Sequence, residues 1–215
     1  MKIPNDMIRG TIHSTNRFGD LEVISYKSNS HVRVRFIETG YETISRSYNI
    51  RIGSLKDLML PAVHGFGYPG VGCYSISNSP QAYEAWRGMI SRCYCKKRLD
   101  KYKTYIGCSV CDEWRSFQVF AKWFSDNYTE GLHLDKDIRV KGNKVYSPDT
   151  CKFVTRAENV IEAHAKNYKL ISPEGNVVEI YNMSAFARDN DLSRGQLLAV
   201  ARGATKTHKG WTSPA

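Results

Sequence analysis

The sequence predicts an α+β fold of three units in series. The first is a small β-barrel or curled sheet; the second is two helices followed by strand, loop, strand and helix. The third is a β-hairpin leading into a helix-turn-helix. Three observations carry this. The hydrophobic period changes from two to about 3.6 near Tyr83. Thr155 and Glu158 stand at capping-box spacing ahead of a helix. Two apolar runs flank the turn Ser172-Pro173-Glu174-Gly175-Asn176.

Residues 1–60 alternate apolar and polar positions in Leu21-Val23, Val32-Val34-Phe36 and Tyr41-Thr43, with turns rich in Asn, Ser and Gly between them. Residues 61–80 hold Gly65, Gly67, Gly70 and Gly72 without periodicity and read as a connector. Gly65-Phe66-Gly67 is no nucleotide fingerprint, because neither a preceding parallel strand nor a helix start accompanies it.

Residues 81–166 form the central unit. Tyr83, Trp86, Met89, Ile90 and Cys93 fall on one helical face, and Trp114, Phe117, Phe120, Ala121 and Phe124 on a second. At this spacing aromatics are core side chains before they are base-stacking ones. Leu132 to Ile138 and Val145 to Val154 then read as two short strands around a polar turn through Lys141-Gly142-Asn143, and a helix opens at Thr155. Residues 167–215 complete the chain. One helix is expected from Ser184 to about Asn190. A second, capped by Ser193, should run from Arg194 to about Arg202.

The 215 residues are 41% hydrophobic, 24% charged and 12% aromatic, which is enough apolar material for cores and argues against disorder. The apolar runs are short, as in Leu197 to Ala201, far from the roughly 20 residues of a membrane helix. With no apolar stretch behind Lys2, Arg9 and Arg17, a cytoplasmic protein is expected. A formal charge of +10, spread along the chain, favours a polyanionic partner. Lys96, Lys97 and Arg98 suit phosphate contact. In the second C-terminal helix Arg194, Gln196 and Arg202 suit base reading in the major groove of double-stranded DNA.

Candidate chemistry gathers in two places. His133, Asp135 and Asp137 would share one strand face with Lys136 on the other, and Asn159 on the following helix can offer a carbonyl oxygen to a hard cation such as Mg or Mn. Equally, Asp135 and Asp137 read as turn carboxylates paired with Lys136, Arg139 or Lys141. Cys93-x-Cys95 and Cys108-x-x-Cys111, with Cys151, have spacings that suit a structural zinc, or they are thiols packed in a core.

Several stretches together resemble the phage-encoded HNH-type nucleases, a group with many homing endonucleases. They are Phe36-Ile37-Glu38-Thr39-Gly40-Tyr41, Trp86-Arg87-Gly88-Met89 with Arg92-Cys93-Tyr94, and Val110-Cys111-Asp112-Glu113-Trp114. Leu134-Asp135-Lys136-Asp137-Ile138 and Tyr146-Ser147-Pro148-Asp149-Thr150-Cys151 complete the set. His208-Lys209-Gly210-Trp211, with Lys206 before it, looks like the DNA-binding tail of such enzymes. The resemblance implies a ββα-metal nuclease domain and the cytoplasm of a phage-infected bacterium. Asp135 falls on the acidic metal position, Lys136 on the catalytic histidine, Thr150 on the central asparagine and Asn159 on the last metal ligand. A lysine is a poor proton acceptor at neutral pH, its ordinary pKa being ~10.4. His133 or Asp137 would take that role, and Asn143 would orient the loop or touch the metal. The chain is otherwise a catalytically degenerate DNA-binding protein, a phage regulator or an inhibitor of host defence. One site per chain implies that a monomer nicks one strand.

Overall fold

The computed structural model describes residues 2–140, 142–164 and 166–214. Lys141, in the polar turn expected between two strands, lies outside them. Among the described residues no helix is long and apolar enough to cross a membrane.

The N-terminal sheet contains β1 (Ile12–Ser14), β2 (Asp20–Ser28), β3 (His31–Phe36) and β4 (Glu42–Ser45), antiparallel and adjacent in chain order. Val32, Val34 and Phe36 of β3 point inward while His31, Arg33 and Arg35 face water, the period-two pattern of a half-buried strand. The sheet is curled but open, which removes the barrel alternative. Register shifts at Val23/Ser25 and Tyr26/Ser28 bend β2, yet β1 has three residues and pairs with β2 alone. The apolar face is covered instead by Met7 and by Ile50 of α1 (Ser47–Arg51).

The glycine-rich stretch is fitted rather than loose. A Cβ on Gly67 would stand 2.5 Å from Ile90 Cδ1 and 2.7 Å from Trp86 Cζ2, so only glycine lets this backbone lie on the helix that follows. That helix, α2 (Pro80–Tyr94), opens with proline at its first position and leads into α3 (Lys96–Lys101). Next come β5 (Ser109–Val110), a 3-10 turn (Asp112–Arg115) and α4 (Phe117–Asn127). Trp114 thus lies in the turn before the second helix, and there its carbonyl accepts a hydrogen bond from Trp86 Nε1 at 2.7 Å.

The expected second strand is two strands. β6 (His133–Asp135) is followed by β7 (Val145–Tyr146), which pairs in parallel with β5, and by β8 (Lys152–Val154), which pairs antiparallel with β6. α5 (Arg156–His164) follows. Trp86, Trp114, Phe117 and Phe120 are fully buried among these elements, and Phe153 of β8 packs against Trp123, Phe124 and Tyr128.

In the C-terminal unit β9 (Tyr168–Ile171) and β10 (Val177–Ile180) form the expected hairpin. α6 (Met183–Asp189) starts one residue early, because Asn182 rather than Ser184 meets its first turn, accepting from the Ser184 and Ala185 amides. α7 (Arg194–Ala201) begins after Ser193, whose side chain makes no capping bond. The closing residues are strands rather than a tail. β11 (Thr207–His208) and β12 (Trp211–Thr212) extend the hairpin in the order β10-β9-β12-β11, and Trp211 meets Phe186 edge-on at 5.1 Å.

Candidate active-site cleft

β6, β8 and α5 place the candidate residues. β6 pairs with β8 through His133 and Val154, Leu134 and Phe153, and Asp135 and Lys152. One residue past β8 the chain turns into α5 by a reciprocal capping box. The Thr155 amide and hydroxyl donate to Glu158 Oε2 at 2.7 and 2.8 Å, and the Glu158 amide donates to Thr155 Oγ1 at 3.2 Å. The Thr155 amide beside Glu158 holds that carboxyl below its usual range. Asn159 is therefore fixed in the first turn of α5. Together with His133 and Asp135 it lines a cleft of about 580 Å³, whose wall also includes Arg92, Lys136 and Tyr146.

Within the cleft the residues divide by task. Asp135 Oδ1 accepts from the amides of Asp137 (2.7 Å) and Ile138 (2.8 Å), which turns the chain sharply after β6 and leaves Oδ2 for other partners. The strand ends at Asp135, so the single face expected to run on to Asp137 does not exist. Lys136 is buried, with 6% of its surface exposed, and its Nζ donates to Asp137 Oδ2 and, at 2.9 Å, to the Asn143 carbonyl. Held in this way, the side chain braces the loop. Asp137 Oδ1 is buried without a hydrogen-bond partner.

The Asn143 side chain makes three bonds, from Nδ2 to the Lys136 carbonyl (2.9 Å) and the Val145 carbonyl (2.7 Å), and from the Val145 amide to Oδ1 (3.2 Å). These bonds tie Asn143 into the loop. Thr150, at the position of the central asparagine, donates to the same Val145 carbonyl at 2.7 Å. Arg92 is the residue that sequence reasoning missed. Its stretch was part of the resemblance, but nothing local tied it to His133, Asp135 and Tyr146, more than 40 positions later.

The cysteines are all free. Cys93, Cys108 and Cys151 are buried in the central core, and Cys95 and Cys111 are half-buried. Burial pushes the thiols of Cys93 and Cys151 up to about 12 and that of Cys111 up to about 11, so in the absence of a metal they are packed as neutral thiols. Among the described residues no three His, Cys, Asp or Glu side chains are gathered to hold a metal. Among the oxygen donors on the cleft wall are the carboxylate of Asp135 and the side-chain amide of Asn159. This is a hard-oxygen pair of the kind that suits Mg or Mn when water and phosphate complete the shell.

The basic groups expected to contact DNA lie elsewhere. Lys96 and Lys97 of α3 are exposed, whereas Arg98 is half-buried with its guanidinium 6.0 Å from the Tyr102 ring. Arg194, Gln196, Arg202 and Lys206 are exposed at or beyond α7. His208 and Lys209 hold the turn between α6 and α7: the Ser193 amide donates to His208 Nε2 at 3.2 Å, and Lys209 Nζ donates to the Asp191 carbonyl at 2.8 Å.

No family model matches the chain, and no curated protein matches it. Among solved structures it is similar to one described as DNA binding and cleavage by the HNH homing endonuclease I-HmuI, at 25% identity and a TM-score of 0.22. The match covers 44% of this chain and 64% of that one, less than two thirds of its length.

Proposed function

We propose that the chain is a metal-dependent HNH-like endonuclease acting on double-stranded DNA. The observation that carries this reading is the cleft wall, where Asp135 at the end of β6, Asn159 in the first turn of α5 and His133 two residues before Asp135 come together. Asp135 and Asn159 hold the divalent ion, which when bound stabilises charge on the scissile phosphate and its leaving oxygen. His133, exposed and on the same side of β6 as Asp135, takes the proton of the attacking water. Residues 81–166 form the nuclease unit behind the sheet of residues 1–60 and the connector 61–80. Residues 167–215 add sequence preference through Arg194, Gln196 and Arg202.

One observation favours a second reading, DNA binding without cleavage: Lys136, at the position of the usual histidine, is buried and bound to Asp137. Plasmid nicking in Mg, in Mn and in chelator, run beside a gel shift, separates the two. Nicking that needs the ion and falls by 10²-fold or more in His133→Ala is the expected result. Binding without cleavage in any ion leaves the second reading.

A further inference from the structure

Arg92 reaches the cleft from α2, and three groups fix its direction. Its Nε donates to the Tyr146 hydroxyl at 3.1 Å, and its guanidinium carbon lies 5.4 Å from the Tyr146 ring and 6.0 Å from the Tyr105 ring. Among the described residues no carboxylate pairs with it. Of the three acids on the cleft wall, Glu84 is bound to Arg87 and Asp137 to Lys136, while Asp135 accepts from the Asp137 and Ile138 amides and forms no ion pair with Arg92. The terminal nitrogens of Arg92 are thus a cation without an ion-pair partner among the described residues, set near the Tyr105 and Tyr146 rings. The Tyr146 hydroxyl, whose oxygen accepts from Arg92, keeps its own proton to donate, and burial raises its pKa so that it stays protonated.

A forked cation and a neutral hydroxyl, side by side and set in advance, match the non-bridging oxygens of one phosphodiester. We infer that Arg92 and Tyr146 form a phosphate-binding site that seats the DNA backbone in the cleft beside Asp135 and Asn159. This rests on the nuclease reading for its place beside the reacting bond, and only on DNA binding for its ligand. Lys136, already bound to Asp137 and Asn143, does not compete for that phosphate.

The test uses the full chain and the variants Arg92→Ala, Arg92→Lys and Tyr146→Phe, with thermal melts to confirm folding. Affinity for a fluorescein-labelled synthetic duplex is measured across a salt series in chelator, and plasmid nicking is measured in Mg. Removing one phosphate contact lowers the salt slope by about 0.9. Arg92→Ala should show that drop together with a loss of about 10²- to 10³-fold in nicking rate. Arg92→Lys should keep the slope but lose part of the rate, and Tyr146→Phe should lose several-fold in rate with the fold intact. An unchanged slope in Arg92→Ala with nicking within two-fold of wild type overturns the site while leaving the nuclease reading standing. If the wild-type protein binds but never nicks, the nuclease reading fails and the slope alone decides the site. If Arg92→Ala does not fold, Arg92→Lys and Tyr146→Phe decide by the same rates, and wild-type values in both overturn it.

Discussion

Lys136→Met separates a brace from a chemical group. The lysine lies under the loop that follows β6, with its side chain 8% exposed against 34% for Asp137. Methionine fills the space of the methylenes but removes two hydrogen bonds. The bond to the Asn143 carbonyl is neutral at its acceptor and contributes about 1 kcal/mol. The pair with Asp137 would contribute more if both partners were buried, but a carboxylate one-third exposed regains water, so about 1 kcal/mol is the appropriate value. The loss is then about 2 kcal/mol, which at a urea slope of about 2 kcal/mol per M lowers the unfolding midpoint of the central unit by about 1 M. Asp137→Leu added to Lys136→Met should recover part of that loss, because it removes the carboxylate left without its partner. A Lys136→Met protein of unchanged stability that had lost all cleavage would refute the brace and place Lys136 in the chemistry.

Asp135→Asn keeps an oxygen for the amides of Asp137 and Ile138, so it should abolish nicking while gel-shift affinity and melting temperature hold. Asp135→Ala should also lower stability by about 1 kcal/mol or more by removing that acceptor. Gly67→Ala drives a methyl into Ile90 and Trp86 and should cost about 1–3 kcal/mol in a urea melt. Because folding raises the thiol pKa of Cys93 and Cys151 above the unfolded value, their contribution to stability is complete below about pH 8.5. It is lost as pH rises toward 12, by up to about 1.4 kcal/mol per unit for each thiol. Urea melts from pH 8 to 10.5 check this, with the Cys93→Ala protein losing less. Arg194→Ala and Gln196→Ala should each cost about 1–3 kcal/mol against a preferred DNA site, and a footprint identical to wild type would remove α7 from base reading.

Local signals in the sequence located what local chemistry decides. The alternation of Val32, Val34 and Phe36 identified an inward strand face, and Thr155 with Glu158 placed the start of α5 to the residue. Other features depend on partners far along the chain. β7 has two residues and exists because it pairs with β5, some 35 positions earlier, so no period could reveal it. Lys136 reads in sequence as a partner of the turn carboxylates or as the residue at the catalytic position, and only the folded loop shows it buried against Asn143. The open edge of the first sheet follows from the shortness of β1, which alternating residues in β2 and β3 do not encode. Arg92 joins the cleft through Tyr146, 54 positions away, a pairing that β5 and β7 create.

The loop between β6 and β8 contains little regular structure, yet it is tied down at many points. Asp135 turns its start, Lys136 and Asn143 hold each other's backbone carbonyls, and Thr150 and Asn143 share the Val145 carbonyl. Arg139 Nη1 donates to the Asp149 carbonyl at 3.0 Å. Ordering a residue costs about 1–2 kcal/mol of chain entropy, and these bonds offset that cost in a segment with few apolar side chains to bury. What the bracing achieves is a fixed position for the Asp135 carboxylate. One oxygen is held by two backbone amides, so the carboxylate cannot turn away from the end of β6 without giving up both bonds. On the proposed nuclease reading that fixed orientation is what a metal ligand needs, whereas a carboxylate that only ended a turn would gain nothing from it.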